Sequence, residues 1–84
     1  MNAIVVKIHP FILSQTIYIY KNNLCIHSIK CKQKELSSLC VSLCKQYDLH
    51  TIQLNGGGTK FLSGIKDQIK QANFDNFDID IKIN

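Results

Sequence analysis

The sequence predicts a single α/β domain in which a mixed five-stranded sheet, in the spatial order 3-2-1-4-5, packs with two helices. In several short segments apolar residues recur at every second position, and in two longer segments they recur with the helical period. Each helical segment stands between two predicted strands. Eighty-four residues leave room for one domain, spanning residues 1–84. A composition of 45% hydrophobic and 19% charged residues is typical of a folded globular chain.

The first third of the chain predicts a three-stranded antiparallel meander. Residues 3–8 form a nearly continuous apolar run, typical of a strand that is covered on both faces, and Pro10 ends it. Residues 15–20 alternate, so that their isoleucines share one face and their tyrosines the other. Because asparagine tolerates positive φ, residues 21–23 predict a tight turn, after which residues 24–31 return as the third strand.

A helix and a fourth strand follow the meander. Six residues with helical spacing form one apolar stripe: Leu36, Leu39, Cys40, Leu43, Cys44 and Tyr47. Glu35 suits the first turn of this helix and Lys45 its last, since each complements the helix dipole. Residues 49–54 predict a short strand.

A glycine turn, a second helix and a fifth strand complete the domain. The turn is Asn55-Gly56-Gly57-Gly58, and Thr59 is expected to cap the helix, which ends at Asn73. The expected core side of this helix consists of Phe61, Leu62, Ile65, Ile69 and Ala72. Residues 79–83 alternate isoleucine with charged residues, which predicts a strand near a sheet edge.

The connections between these elements predict their arrangement in the sheet. A crossover that contains a helix joins parallel strands and is right-handed. The order 3-2-1-4-5 satisfies this rule for both helices and places the apolar first strand in the centre.

Residues 6–10, Val-Lys-Ile-His-Pro, followed by Gln15-Thr16-Ile17-Tyr18, resemble the first hairpin of Holliday-junction resolvases. In that family the strand ends in Ile-Asp-Pro, and this Asp is the first of the carboxylates that hold catalytic metal ions. The matching position here is His9, and the end of the fourth strand offers only Gln53 and Asn55. Because two divalent ions need several carboxylates, we expect neither a metal site nor catalytic residues.

Residues 52–65 resemble the adenosine motif of actin-like ATPases, in which an apolar strand runs into consecutive glycines and another glycine follows in the helix. Gly56, Gly57, Gly58 and Thr59 are therefore candidate nucleotide-binding residues, with Gly64 as the later glycine. A tight turn alone also calls for such a glycine run. Since one lobe does not enclose ATP, nucleotide binding would require a homodimer.

The predicted topology, together with these two motifs, resembles the ribonuclease H-like superfold. Residues 8–20 also resemble the opening of a group of short phage-encoded proteins, Ile-x-Pro-Phe-x-x-x-Gln-Thr-Ile-Tyr-Val-Tyr. The first resemblance implies the scaffold, and the second implies a phage or mobile-element setting without a known activity.

Basic residues concentrate in the first half of the chain. The chain has ten Lys and no Arg, and its formal net charge is +4. Lysines beside exposed aromatic residues bind single-stranded nucleic acid through phosphate contacts and base stacking. The candidate residues for this role are Tyr18, Tyr20, Lys30, Lys32 and Lys34. The alternatives are that the lysines form an ordinary solvated surface and that the tyrosines pack under a helix.

The cysteines and histidines predict packing rather than chemistry. The spacing of Cys25, Cys31, Cys40 and Cys44 includes no Cys-x-x-Cys, and we interpret all four as buried, reduced thiols. His9 and His50 are expected at opposite ends of the sheet, too far apart to share a metal ion.

We therefore expect a non-catalytic binding module without a cofactor. Its first expected partner is a host or phage protein linked to nucleic-acid processing. The module would assist this protein or inhibit it, for example as an anti-defence inhibitor. Its second expected partner is nucleic acid itself. An edge strand, residues 24–31 or 78–83, would serve for protein binding or for a homodimer. The first residues show no secretion signal, and no apolar run is long enough to span a membrane, so we expect a cytoplasmic protein.

Overall fold

The computed structural model of the chain describes residues 1–9 and 14–84. Within them lie five strands and two helices: β1 (Ala3–Lys7), β2 (Ser14–Lys21), β3 (Leu24–Lys32), α1 (Gln33–Tyr47), β4 (Thr51–Asn55), α2 (Thr59–Ala72) and β5 (Asp80–Ile83). The strand order is β3-β2-β1-β4-β5; the first three strands are antiparallel, and β4 and β5 run parallel to β1. The predicted element order and sheet order are confirmed. The predicted strand end at Pro10 lies outside the described residues.

The β2–β3 hairpin turns at two asparagines. Asn22 and Asn23 have φ angles of 53° and 67°, the left-handed conformation that a two-residue hairpin turn requires. The N–H of Asn22 donates to Oδ1 of Asn2 at 2.7 Å, and the N–H of Asn23 donates to the carbonyl of Met1 at 3.1 Å. The predicted turn is confirmed, and the two residues that precede β1 accept hydrogen bonds from it.

Both helices pack on one face of the sheet. α1 contacts β1, β2, β3 and α2, and α2 contacts α1 and β5. The core between these layers contains alternate residues of every strand, together with the buried stripes of the two helices. From the strands it takes Ile4, Val6, Ile17, Ile19, Cys31, Ile52, Leu54 and Ile81. Each helical crossover steps in the same direction along the sheet, and two right-handed steps in one direction place both helices on one side.

The other face of the sheet has no helix or strand over it in the part of the chain that the structure describes, and we call it the open face. Ala3 and Val5 lie on the open face, outside the main core, yet they are only 1% and 7% exposed. Both faces of β1 are therefore buried, as the apolar run predicts, although the described helices cover only one of them. We attribute the burial of Val5 to side chains on the neighbouring strands, where its partners are Tyr18 and Gln53.

The helix ends follow the sequence signals, with one exception. Glu35 and Lys45 lie in the first and last turns of α1, and Asn73 caps the end of α2, as predicted. Thr59, however, is the first residue of α2, and the cap is Gly58, without a side-chain hydrogen bond. Phe61, which was expected in the core, is 39% exposed. Neither described helix is both long enough and apolar enough to cross a membrane.

His50 joins the loops at the amino-terminal edge of β4 and β5. Its Nδ1 lies 2.7 Å from the carbonyl of Asp78, its Nε2 lies 3.1 Å from Oδ1 of Asp48, and its ring stacks on Phe77 with centroids 5.0 Å apart. Because both partners are acceptors, only the protonated ring donates to both. The carbonyl of Asp78, and then the carboxylate of Asp48, raise the pKa of His50 above its ordinary value.

A group whose pKa is raised by folding stabilises the fold below its unfolded pKa, and this contribution is lost as pH rises through the folded pKa. We therefore expect the free energy of unfolding to fall more steeply between about pH 6 and pH 8 in the wild type than in His50→Gln. Urea denaturation at a series of pH values measures this difference. Parallel pH profiles for the two proteins would contradict the role of His50.

Candidate functional site

The open face presents the tyrosines of β2 between two other strands. The register pairs Tyr18 with Val5 of β1 and Ser28 of β3, and it pairs Tyr20 with Ala3 and Cys25. Both tyrosines are half-buried, so part of each ring is accessible. The tyrosines do not pack under a helix, and they are available on a surface that the described chain leaves uncovered.

Lysines flank these tyrosines on both sides. Thr16, one row along β2 from Tyr18, pairs with Lys7 on β1 and with Lys30 on β3. Lys32 pairs with Ser14 and shares the same face at the next row. The Nζ atom of Lys7 lies 5.5 Å from the ring centroid of Tyr18, within the range of a cation–π interaction.

The structure thus brings together four of the five candidate nucleic-acid residues. Tyr18, Tyr20, Lys30 and Lys32 share the open face, whereas Lys34 lies in the first turn of α1. There it lines a shallow groove with Glu35, Ser38, Leu39 and Ser42. Lys34 is separated from the others because the chain passes from strand to helix at Gln33, where alternation no longer determines the face.

Sequence reasoning did not include Lys7 in this group. The signal was present, because Lys7 follows Val5 by two residues in β1 and a strand places alternate residues on one face. The sequence does not show that this face of β1 is uncovered, so by sequence alone Lys7 contributes only to the general basic charge.

Charge is unevenly distributed between the two ends of the molecule. Four of the six acidic residues lie at the amino-terminal edge of β4 and β5: Asp48, Asp75, Asp78 and Asp80. Lys45 forms a salt bridge with Asp75 at this edge. Lys7, Lys30 and Lys32 lie toward the opposite edge, where β1 and β3 end, and none of them forms a salt bridge within residues 1–9 and 14–84.

The glycine turn has packing roles that require no ligand. Gly56 has a φ of +97°, and a Cβ there would lie 2.6 Å from the carbonyl oxygen of Ile8. A Cβ at Gly57 would lie 3.2–3.3 Å from Leu62 and Phe61. Gly58 has open space around it and is the cap of α2. The close approach of Ile8, which follows β1, therefore accounts for Gly56, and the packing of α2 accounts for Gly57.

The residues at the positions of the resolvase carboxylates do not fit a pair of divalent ions. These positions hold His9, Gln53 and Asn55, none of which is a carboxylate. The Oδ1 atom of Asn55 already accepts a hydrogen bond from Nδ2 of Asn84 at 2.8 Å, and the N–H of His9 donates to Oε1 of Gln15 at 2.8 Å. Within the two described segments, no group of three or more His, Cys, Asp or Glu side chains is placed to hold a metal ion.

Three cysteines are buried, and one is not. Cys31, Cys40 and Cys44 lie in the core, where burial raises the pKa of the Cys40 and Cys44 thiols and keeps them protonated. The prediction of burial is wrong for Cys25, which is exposed on β3, with its Sγ atom 3.5 Å from the carbonyl of His27. Cys25 is exposed because it lies on the open face of an edge strand, where its partner is Tyr20.

Comparison of the chain with protein-family models, with curated proteins and with solved structures found no match.

We expect Gly56→Ala to lower the free energy of unfolding by about 2–4 kcal/mol, because it combines a strained backbone with a backbone clash at Ile8. Gly64→Ala is the matched control. Gly64 lies inside α2 with open space around it, so alanine there should raise the stability by about 0.5–1 kcal/mol. Urea denaturation measures both effects, and equal stability of Gly56→Ala and wild type would refute the packing role of this glycine.

Proposed function

We propose that this protein is a non-catalytic binding module that binds single-stranded nucleic acid on the open face of its sheet. The observation that carries the proposal is the placement of Tyr18 and Tyr20 on an uncovered surface, with Lys7 on one flanking strand and Lys30 on the other. Aromatic rings that stack bases beside lysines that contact phosphates are the usual elements of such a surface.

The spacing of the tyrosines favours a single strand over a duplex. Tyr18 and Tyr20 are two residues apart in one strand, which separates their Cα atoms by about 6.8 Å. Consecutive bases in a duplex rise by about 3.4 Å. One base on each ring therefore requires an extended strand whose bases are unstacked from one another, and paired bases in a duplex do not present their faces to a protein surface.

The charge distribution supports the same ligand. The basic end of the open face attracts a polyanion, and the acidic edge with Asp75, Asp78 and Asp80 repels it, so the molecule would approach its ligand in one orientation. The chain contains no Arg, the residue that makes the commonest base-specific contacts. Binding through lysine and tyrosine would accordingly have little sequence preference.

We further propose that the scaffold is of the ribonuclease H-like type and that the protein belongs to a phage or mobile element. The sheet order and the element order support the scaffold. The resemblance of residues 8–20 to short phage-encoded proteins supports the origin. Neutral residues at positions 9, 53 and 55 support a binding role rather than phosphodiester cleavage.

We expect Tyr18→Leu and Tyr20→Leu each to weaken binding of a fluorescent oligothymidine by about 5- to 150-fold, since stacking contributes about 1–3 kcal/mol per base. Leucine keeps an apolar cover over β1 while it removes the ring. Fluorescence anisotropy at low and moderate salt measures the affinity.

Phe74→Leu is the matched control, because Phe74 is 87% exposed but lies in the connection between α2 and β5. It should bind as the wild type does. A wild type that binds no oligothymidine, or binds a duplex of equal length more tightly, would remove the proposed function.

A protein partner is the second candidate, and the exposure of β3 favours it. β3 is an edge strand whose first residues include Leu24 and Ile26, with 68% and 49% of their surface exposed. Lysines protect the second half of the strand against pairing, but residues 24–29 contain no Lys, Arg, Asp or Glu. An added strand from a protein of nucleic-acid processing, or from a second copy of this chain, would pair with this half.

We expect Ile26→Lys to abolish such pairing, because a charged side chain on an edge strand opposes strand addition. Gln71→Lys, on the exposed side of α2, adds the same charge away from the edge. The readouts are sedimentation of the purified proteins and affinity capture from host lysate. Species bound by the wild type and by Gln71→Lys but not by Ile26→Lys support the edge, and equal behaviour of all three proteins argues against it.

A further inference from the structure

The open face contains a row of three side chains that fits one phosphate group. Lys7, Thr16 and Lys30 are direct partners across β1, β2 and β3. Adjacent strands lie about 4.8 Å apart, so the Cα atoms of the two lysines are roughly 10 Å apart with the threonine between them. Two ammonium groups and a hydroxyl from a single row supply the hydrogen-bond donors that a phosphodiester oxygen accepts.

No carboxylate neutralises this row from the adjacent positions of the sheet. The next partner of Lys7, on β4, is Asn55, and the neighbouring row along the strands contains Ser28, Tyr18, Val5 and Gln53. Asp80 shares the open face only at the far corner, on β5. The two lysines therefore flank a threonine with no carboxylate at the adjacent positions of the sheet, an arrangement that an anion would stabilise.

The row adjoins the ring of Tyr18, and Lys7 links the two. In the free protein the ammonium of Lys7 lies over this ring, 5.5 Å from its centroid. A base that stacks on Tyr18 takes the place of the ammonium. Lys7 also belongs to the row of Thr16. The flexible Lys7 side chain therefore gives the displaced ammonium a second position, beside a phosphate bound at this row.

We propose that Lys7, Thr16 and Lys30 form the phosphate site of a bound single strand, and that Lys7 leaves the ring of Tyr18 for this phosphate when a base stacks there. This inference rests on the proposed function and specifies its binding mode. It makes Lys7 the residue that couples base stacking to phosphate binding, and it assigns Thr16 the hydroxyl contact between the two lysines.

The first test compares Lys7→Gln, Lys30→Gln and Thr16→Val with the control Lys34→Gln, which removes the same charge from α1. Binding of oligothymidine is measured by anisotropy over a range of salt concentrations. Each lysine that contacts a phosphate contributes about 0.7 to the slope of log affinity against log salt for a single strand. We expect Lys7→Gln and Lys30→Gln each to lower the slope by this amount and to weaken binding several-fold, and Lys34→Gln to change neither.

An abasic oligonucleotide separates the two parts of the site. It carries the phosphates without the bases, so its binding should remain sensitive to Lys7→Gln and Lys30→Gln but become insensitive to Tyr18→Leu. Inorganic phosphate should compete only weakly with the abasic oligonucleotide, because a single free phosphate makes none of the additional contacts that the oligonucleotide makes along its length.

The movement of Lys7 has its own spectroscopic readout. Protons of the Lys7 side chain that lie over the Tyr18 ring are shifted upfield by the ring current in the free protein, and Tyr18→Leu should abolish this shift. Oligothymidine should move these resonances downfield as the base replaces the ammonium, whereas abasic oligonucleotide should leave them nearer the free position.

The outcomes distinguish this inference from the function on which it rests. If the tyrosine variants lose binding while Lys7→Gln and Lys30→Gln keep the wild-type salt slope, the phosphate site is wrong and the proposed function stands. If the Lys7 resonances keep their upfield shift with oligothymidine bound, the displacement of Lys7 is wrong. If the wild type binds no single strand, both the inference and the proposed function fall.

Discussion

The handedness of two connections is the constraint on which this structure depends. α1 carries the chain from the edge strand β3 across to β4, and α2 carries it one strand further in the same direction. Right-handed crossovers in one direction place both helices on one face of a sheet. The two described helices, of 15 and 14 residues, both lie on that face. For the described residues, the open face follows from this topology.

An uncovered face creates a packing problem for the central strand, and β2 solves it. β1 is apolar on both sides, and Ala3 and Val5 are buried although no described helix lies over them. Tyrosine suits the neighbouring positions because its ring covers apolar surface while its hydroxyl remains in water. Tyr18 and Tyr20 thereby have a structural role, and the same partial exposure leaves ring surface for a ligand. Stability and binding would use different parts of the same rings.

The carboxyl-terminal edge of the parallel strands, where α/β folds commonly bind ligands, is here largely occupied by the chain itself. The N–H of Ile8 donates to the carbonyl of Asn55 at 2.9 Å, and the carbonyl of Ile8 lies against Gly56. Asn84 then binds Asn55 from the end of β5. These contacts involve neutral groups and close backbone approaches, so the edge is suited to holding β1, β4 and β5 together. The surface proposed for binding is the open face, whose basic end lies beside this edge.

The sequence by itself determined the elements, their order and, for most residues, the face on which they lie. Periodicity and turn residues act locally, and the handedness of crossovers leaves few alternative sheet orders. The paired asparagines at 22 and 23 and the stripe that ends at Tyr47 are examples of the local signals. It did not determine which faces are covered, since burial depends on where distant helices lie. For that reason only the tertiary structure decided three features of the surface. These are the exposure of Cys25 and Phe61, the separation of Lys34 from Lys30, and the grouping of Lys7 with Tyr18. The cap at Gly58 rather than Thr59 was likewise decided there.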